Sequence, residues 1–223
     1  MSLWIKICGN TSLEDALAAV DAGADALGFV FAASPRRVTA AQAAAIARKL
    51  PAEIEKIGVF VDAGLKEIDS TVRACGLTGV QLHWESGPEL PAKLRERLGP
   101  ALRILGVAHF ETGAGRTITE RIAGHASNPH VDAVLVDSRT AAAVGGTGVA
   151  FDWDEARRTV FSNAGKLKLI AAGGLNPENV AEAIATLRPW GVDVVSGVEA
   201  MPGRKDAEKV REFLVRARAA DRQ

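Results

Sequence analysis

The chain has 223 residues, of which 48% are hydrophobic, and its 27 basic and 27 acidic side chains give a formal net charge of zero. This length and composition suit one large α/β domain, and the neutral balance argues against nucleic acid or an anionic membrane as a partner. No apolar run approaches the roughly 20 residues that span a bilayer, and the start lacks a signal-peptide pattern, so we expect a cytoplasmic protein.

Apolar, β-branched segments alternate with segments of helical spacing along the chain. The apolar segments predict strands at residues 3–8, 26–31, 56–61, 79–83, 102–107, 131–137, 167–172 and 192–196. Between the strands, apolar residues recur at i, i+3, i+4 and i+7, as they do from Leu13 to Val20 and from Val210 to Ala217. The segment after the fifth strand has the weakest helical pattern.

Three helix starts carry capping signals. Thr11 and Thr39 are each followed three residues later by Glu or Gln, which is the spacing of a capping box. Asn176 stands directly before Pro177, which predicts an N-cap followed by proline at the first helical position.

Eight such strand and helix units predict the fold class. Strands that are apolar throughout and are joined by helices imply a parallel sheet covered on both faces. In a chain of 223 residues, this favours an α/β fold, a single (β/α)8 TIM barrel with an eight-stranded parallel core, over residues 1–223. An open, doubly wound sheet is the alternative, because alternation alone does not show closure.

One connection is unusually long and rich in small residues. Residues 138–150 include the run AAAVGGTG and follow the sixth predicted strand. A loop of this length after a barrel strand is predicted to be a mobile cover over an active site. A flexible surface loop without a function is the alternative.

In a (β/α)8 barrel, active-site groups lie at the C-terminal ends of the strands and in the loops that follow. This rule selects Cys8, at the end of the first predicted strand, and Asp137, at the end of the sixth, as a candidate acid/base pair. The alternatives are a buried apolar cysteine and a capping aspartate. Cys75 ends a predicted helix near the opposite face, too far from Cys8 for a disulfide. Two cysteines without paired metal-ligand spacing also predict no metal site.

Two glycine-containing turns predict a phosphate site. Gly173 and Gly174 close the seventh strand, and Ser196 and Gly197 close the eighth. Glycines let the backbone approach an anion, and barrel enzymes often bind phosphate after strands 7 and 8. The alternative is that these glycines only make tight turns.

Further candidates for substrate binding are Arg36, His83 and Asp193. Arg36 offers a bidentate fork for a carboxylate, with an exposed loop arginine as the alternative. His83 could titrate near neutral pH, although a packed or capping histidine is also consistent with its position. Lys6 lies two residues before Cys8 and could line the same interior, because residues two apart share a face of a strand.

The ordered set of motifs resembles the phosphoribosylanthranilate isomerase family of tryptophan biosynthesis nearly end to end. The likeness rests on KICG at 6–9, ADALGFVF at 24–31, SPR at 34–36, GVFVD at 58–62, VQLH at 80–83, LVDS at 135–138, GGTG at 145–148, FDW at 151–153, AGGL at 172–175, SGVE at 196–199 and PGRKD at 202–206. Each motif alone is unspecific, and their order makes the resemblance strong.

The resemblance implies an Amadori rearrangement of N-(5-phosphoribosyl)anthranilate, an aminoaldose, to the 1-deoxyribulose aminoketose. Asp137 would be the general acid that protonates the ribose ring oxygen, and Cys8 the general base that removes the C2′ proton. Arg36 would hold the anthranilate carboxylate, and the two glycine-containing turns would hold the phosphate through their backbones. The thiol must ionise to act as a base, and nearby positive charge would favour its thiolate.

The implied partner is therefore a small phosphorylated substrate. No cofactor is expected, because the nitrogen of the substrate is the electron sink, and a monomer is expected, because no exposed heptad seam is visible. Four positions, Trp84, Val149, Ala150 and Val195, depart from the family pattern and bear on loop closure and substrate affinity.

Two other functions compete with this interpretation. The related aminoaldose isomerase of histidine biosynthesis is expected to carry aspartate where this chain has Cys8, and it would need a second phosphate site. A non-catalytic barrel that binds a phosphorylated ligand is the other alternative.

Overall fold

A computed structural model describes residues 2–83, 87–110, 118, 122–125, 127–137 and 153–222. Within them, eight parallel strands close into a barrel in the order β1 to β8. The strands are β1 (Trp4–Ile7), β2 (Ala26–Val30), β3 (Glu55–Phe60), β4 (Gly79–His83), β5 (Arg103–His109), β6 (Ala133–Asp137), β7 (Lys168–Ala172) and β8 (Gly191–Val194). The predicted TIM barrel is confirmed, and the open-sheet alternative is wrong, because β1 pairs with β8.

Helices connect the strands on the outside of the barrel. They are α1 (Leu13–Asp21), α2 (Ala40–Ala47), α3 (Leu65–Cys75), α4 (Leu90–Leu98), α5 (Trp153–Thr159), α6 (Val180–Leu187) and α7 (Ala207–Asp221). Residues 122–125, after β5, are also helical. None of the helices in the described ranges combines the length and apolar character that crossing a bilayer requires. The predicted cover at 138–150 and the departures at Trp84, Val149 and Ala150 lie outside the described residues.

The N-cap of α1 differs from the prediction. Ser12, not Thr11, caps the helix, and its side chain accepts a hydrogen bond from the backbone N–H of Asp15. The Thr11 hydroxyl instead donates to the backbone carbonyl of Gly203, at 2.5 Å. The capping box predicted at Thr39 is confirmed, with both of its reciprocal hydrogen bonds present.

The helix predicted to begin at Pro177 begins three residues later, at Val180. The Asn176 side chain accepts hydrogen bonds from the backbone N–H groups of Glu178 and Asn179, at 2.9 and 3.0 Å. Such a side-chain turn is the local alternative to a helix cap for asparagine. The Asn176-Pro177 pair therefore indicates a turn that precedes α6, and not the N-cap of the helix.

The interior of the barrel changes from apolar to charged along its axis. At the N-terminal end of the strands, Trp4 stacks on Trp190 with ring centroids 5.3 Å apart, and Ile57 and Ile170 pack in the same cluster. Further along β1, the inward-facing residue is Lys6, which is fully buried. One end is thus closed by aromatic and aliphatic packing, and the polar chemistry lies toward the other end.

A short hairpin returns the chain from β8 to the start of the barrel. After a 3-10 turn (Ser196–Val198), strands β9 (Glu199–Met201) and β10 (Arg204–Lys205) pair in antiparallel fashion. The backbone N–H of Lys205 donates to the Asp15 carboxylate of α1, at 3.0 Å. The hairpin thereby places the side chains of Glu199 and Lys205 beside the end of β1.

Candidate active site

The structure places the candidate residues around one end of the barrel. Cys8 follows β1, Arg36 lies in the loop after β2, His83 ends β4, Asp137 ends β6, Gly173 and Gly174 follow β7, Asp193 lies in β8, and Ser196 and Gly197 follow β8. Cys75 ends α3 and is a buried free thiol away from this set, as predicted.

A cavity joins the candidate acid to both glycine-containing turns. It is lined by Asp137, Ala172, Gly173, Gly174, Leu175, Asp193, Val194, Val195 and Ser196. Asp137 is buried, with 5% of its surface exposed, and Asp193 is exposed to the same extent. The ends of β6, β7 and β8 therefore surround a single recess that two carboxylates enter.

The two turns are packed against each other. A Cβ atom added at Gly197 would collide with the backbone carbonyl of Leu175 and would approach the Cα atom of Asn176 to 2.9 Å. Gly173 and Gly174 have positive φ angles, 84° and 66°, which side chains larger than glycine rarely adopt. Glycine at these positions therefore allows the two turns to take up this conformation and this close packing.

Cys8 is held at the top of the seam between β1 and β8. Its backbone N–H donates to the carbonyl of Val194 at 2.9 Å, and the residue is buried, with only 4% of its surface exposed. On the other side, β2 contributes Gly28. A Cβ atom there would overlap the Cys8 sulfur and would lie 3.0 Å from its Cα and Cβ atoms. The thiol therefore occupies space that a glycine leaves open.

Lys6 lies under Cys8 on the same face of β1. Its ammonium donates to the Asp193 carboxylate at 2.7 Å and to the Gln81 side-chain carbonyl at 2.9 Å. Lys6 and Asp193 are also register partners across the β1–β8 seam. Burial lowers the pKa of Lys6, but the carboxylate of Asp193 and the Cys8 sulfur outweigh burial and raise it above its ordinary value. The expectation that Lys6 lines the interior is confirmed.

The Cys8 thiol has opposing electrostatic neighbours. Burial raises its pKa, the ammonium of Lys6 lowers it, Asp193 raises it and Lys205 lowers it, in decreasing order of effect. The net result is a pKa above the ordinary value of a cysteine. Positive charge is present beside the sulfur, as expected, yet burial outweighs it, so the thiol form predominates at neutral pH.

Arg36 is anchored by an acidic residue that the sequence analysis did not select. Its guanidinium donates from Nε and Nη2 to the two carboxylate oxygens of Glu199, at 2.8 and 2.6 Å. The bidentate pair fixes the plane of the guanidinium, and Arg36 remains partly exposed, with 17% of its side chain accessible. Its outer edge stays available for a second carboxylate.

Lys205 connects Glu199, the partner of Arg36, to Cys8, the candidate base. Its ammonium donates to the backbone carbonyls of Cys8 at 2.7 Å and Val195 at 3.0 Å, and to the Glu199 carboxylate at 3.3 Å. Burial lowers the pKa of Lys205, with Glu199 opposing the shift. Burial alone would raise the pKa of Glu199, but hydrogen bonds from Arg36 and the charge of Lys205 hold it below its ordinary value.

A second histidine joins His83 at the site. His83 and His109 lie with ring centroids 5.6 Å apart at a tilt of 36°, and His109 is the register partner of Asp137 across β5 and β6. The predicted fifth strand stopped at residue 107 and so missed His109. The alternation of Leu105 and Val107, both in the inner cluster, continues to position 109 and was the available signal.

The chain is similar to known proteins over most of its length. The family model described as N-(5′-phosphoribosyl)anthranilate (PRA) isomerase matches residues 5–216. A curated N-(5′-phosphoribosyl)anthranilate isomerase of Pelobacter propionicus is 48% identical over 211 residues, which cover 94% of this chain and 93% of that relative.

Two solved structures are similar in both fold and sequence. The phosphoribosyl anthranilate isomerase of Thermotoga maritima superposes with a TM-score of 0.85 at 35% identity, over 97% of this chain and 99% of that chain. A phosphoribosyl anthranilate isomerase in complex with reduced 1-(o-carboxyphenylamino)-1-deoxyribulose 5-phosphate gives a TM-score of 0.82 at 34% identity, with the same coverage.

Proposed function

The chain belongs to the N-(5′-phosphoribosyl)anthranilate isomerase family of tryptophan biosynthesis, and on this premise we propose that Cys8 and Asp137 carry its isomerase reaction. The substrate is N-(5-phosphoribosyl)anthranilate, and the product is the corresponding 1-deoxyribulose aminoketose 5-phosphate. A protein in this family with known structure binds the reduced form of that product, which supports the same ligand class here.

The reaction begins with Asp137 as general acid. Its carboxyl group protonates the ribose ring oxygen, the C1′–O bond breaks, and the nitrogen lone pair forms the iminium. Cys8, as thiolate, then removes the proton from C2′, which is acidic only after the iminium can accept the electron pair. The resulting enolamine tautomerises to the ketone. Positioned acids and bases each contribute about 10²–10⁴-fold to such proton transfers.

The remaining candidates bind the two charged ends of the substrate. The backbone N–H groups around Gly173, Gly174, Ser196 and Gly197 hold the phosphate, because a glycine backbone lets an anion approach closely. Arg36 holds the anthranilate carboxylate with the edge that Glu199 does not occupy. Binding energy from both ends then orients the ribose between the acid and the base.

The observation that carries the proposal is the shared cavity. Asp137 lines the same recess as both glycine-containing turns, and Asp193, which interacts electrostatically with the Cys8 sulfur, lines it as well. A phosphate on the rim would therefore place a five-carbon sugar between the carboxyl group and the thiol. His83 and Asp193 are the further binding candidates, from β4 and β8.

The proposal is tested by following the loss of fluorescence of the anthranilate adduct with the purified chain. We expect turnover by the parent, and Cys8→Ala and Asp137→Asn to lower kcat by at least about 10²-fold each. Cys75→Ala is the matched control, because it removes the other buried thiol, far from the site, and should keep the parent's kcat.

Different results would contradict different parts of the proposed function. A parent that binds the aminoketose without converting the aminoaldose would identify a binding barrel, and full activity in Cys8→Ala would exclude the thiol as base. Equal turnover of the aminoaldose of histidine biosynthesis would show dual specificity.

A further inference from the structure

Lys6 is a buried charged residue to which the proposed mechanism assigns no role. It is fully buried inside the barrel, where an isolated ammonium would be costly. An ammonium has three donors, and two of them are used by Asp193 and Gln81. The third is available to the Cys8 sulfur, which lies two residues on along the same face of β1 and with which the ammonium interacts.

The charged groups around the sulfur come from several elements. Lys6 approaches from β1, Asp193 from β8 and Lys205 from β10, and the uncharged Gly28 of β2 packs against the sulfur. Glu199 pairs with Lys205 and so compensates its charge. Lys6 stands first among the charged groups that act on Cys8, ahead of Asp193 and Lys205.

We propose that Lys6 is a positioning residue for the Cys8 base: its ammonium, held by Asp193 and Gln81, pairs with the sulfur when it is ionised. This inference rests on the proposed role of Cys8. Lys6 does not touch the reacting carbon in this account. It acts through the thiolate, whose charge it compensates inside the barrel.

The proton balance is consistent with this role. In the reactive state, the ammonium faces two anions, the thiolate and the Asp193 carboxylate. When the thiolate takes the C2′ proton, the sulfur becomes a neutral thiol, and the electron pair of the C–H bond moves into the iminium. Lys6 keeps its three protons, and Asp193 then compensates its charge alone. After the transfer, the ammonium and the carboxylate form a one-to-one buried pair, so neither charge is left unpaired, which would be strongly destabilising.

Lys6 and Asp193 act on the thiol with opposite signs. Removing the ammonium takes away its stabilisation of the thiolate and leaves the repulsion by Asp193, so Lys6→Met should raise the pKa of Cys8. Removing the carboxylate charge leaves the ammonium to the sulfur alone, so Asp193→Asn should lower the pKa. General loosening of the barrel would not shift one thiol in both directions.

The experiment is a titration of the thiol without substrate. The chain has two cysteines, so a Cys75→Ala background leaves Cys8 as the single thiol. Ultraviolet absorbance of the thiolate is followed against pH in this background and in the same background with Lys6→Met, Asp193→Asn or both changes. At a fixed pH below the midpoint, we expect Lys6→Met to lower the thiolate fraction at least about tenfold, and Asp193→Asn to increase it.

Lys6→Met leaves the Asp193 carboxylate buried without its partner, and this variant can fail to fold. The double variant removes both charges and keeps the test decisive. Because Lys6 lowers the pKa of Cys8, the double variant, which lacks the ammonium, should have a lower thiolate fraction than Asp193→Asn alone.

Lys56→Met is the matched control. Lys56 is also buried, and its ammonium donates to the backbone carbonyls of Pro51 and Ile54, both at 2.9 Å, away from Cys8. It should leave the thiol titration unchanged while removing a buried lysine. Equal shifts in Lys56→Met and Lys6→Met, or no shift in any Lys6 variant, would overturn the inference. The proposed function fails by a different result, which is turnover by Cys8→Ala.

Discussion

At the scale of single residues, the site depends on a glycine that touches the thiol. Gly28 lies on β2 directly beside Cys8, and an added Cβ atom would overlap the sulfur. Gly28→Ala should therefore displace the thiol from its position at the end of β1. We expect a loss of kcat of about 10²-fold, because misplacing a reacting group by about 1 Å can cost that much. Steady-state kinetics with the family's substrate measure this effect.

Gly64→Ala is the control for that substitution. Gly64 precedes α3, and a Cβ atom there meets no heavy atom within 4 Å. Its kcat should match that of the parent. A parent-like kcat in Gly28→Ala would show that the position of the sulfur is not critical, and it would count against Cys8 as the base.

Candidate site residues could be predicted from the sequence when their position at the end of a strand was enough to identify them. Cys8 and Asp137 were selected because strand ends in a barrel form one face, and the structure places both there. Glu199 was missed, because its partner Arg36 is 163 residues away and no local pattern links them. Such pairings exist only after the barrel has closed.

At the scale of elements, the turns after β7 and β8 act as one unit. Gly197 packs on the backbone of Leu175 and Asn176, so Gly197→Ala must push the two turns apart. We expect the affinity for inorganic phosphate, measured as a competitive inhibitor, to fall by about tenfold or more, since each lost hydrogen bond to a charged group costs about 1.5–3 kcal/mol. Unchanged phosphate inhibition would place the anion elsewhere.

Strand positions were more predictable than helix starts. Apolar runs located all eight barrel strands to within a few residues, because strands covered on both faces are continuous apolar segments. The start of α1 was misassigned because threonine is a common N-cap residue. The Thr11 hydroxyl instead donates a hydrogen bond to the backbone carbonyl of Gly203, 192 residues away. A tertiary contact had replaced the local one.

At the scale of the whole molecule, a buried histidine links stability to pH. Burial lowers the pKa of His125 from 6.5 to about 4, and Gly106 on β5 provides the space for its ring. The unfolded chain binds a proton at this histidine between these values and the folded chain does not. The contribution is therefore fully present above about pH 6.5 and is lost as pH falls toward about 4.

Urea unfolding measures this loss. From about pH 7 to about pH 4, the free energy of unfolding of the parent should fall by about 3 kcal/mol more than that of His125→Gln, since one pKa unit corresponds to 1.36 kcal/mol. Parallel pH dependences in the two proteins would mean that His125 is protonated equally in the folded and unfolded states.

The sequence predicted the α/β fold class, but it could not show whether the sheet closes into a barrel. Alternating strands and helices fit both a barrel and an open sheet, and only the pairing of β1 with β8 distinguishes them. That seam joins Lys6 to Asp193 across 187 residues and carries the ion pair beneath the candidate base. The same contact that completes the barrel thus completes the electrostatic environment of Cys8.

The central claim, that Cys8 and Asp137 act on one sugar held between a phosphate rim and Arg36, is tested most directly by a crystal structure with an unreactive product analogue. We expect the phosphate on the backbone N–H groups around Gly174 and Gly197, the carboxylate within about 3 Å of the Arg36 guanidinium, and C2′ facing the Cys8 sulfur. A ligand bound with its sugar outside this cavity, or with C2′ turned away from the sulfur, would contradict the account.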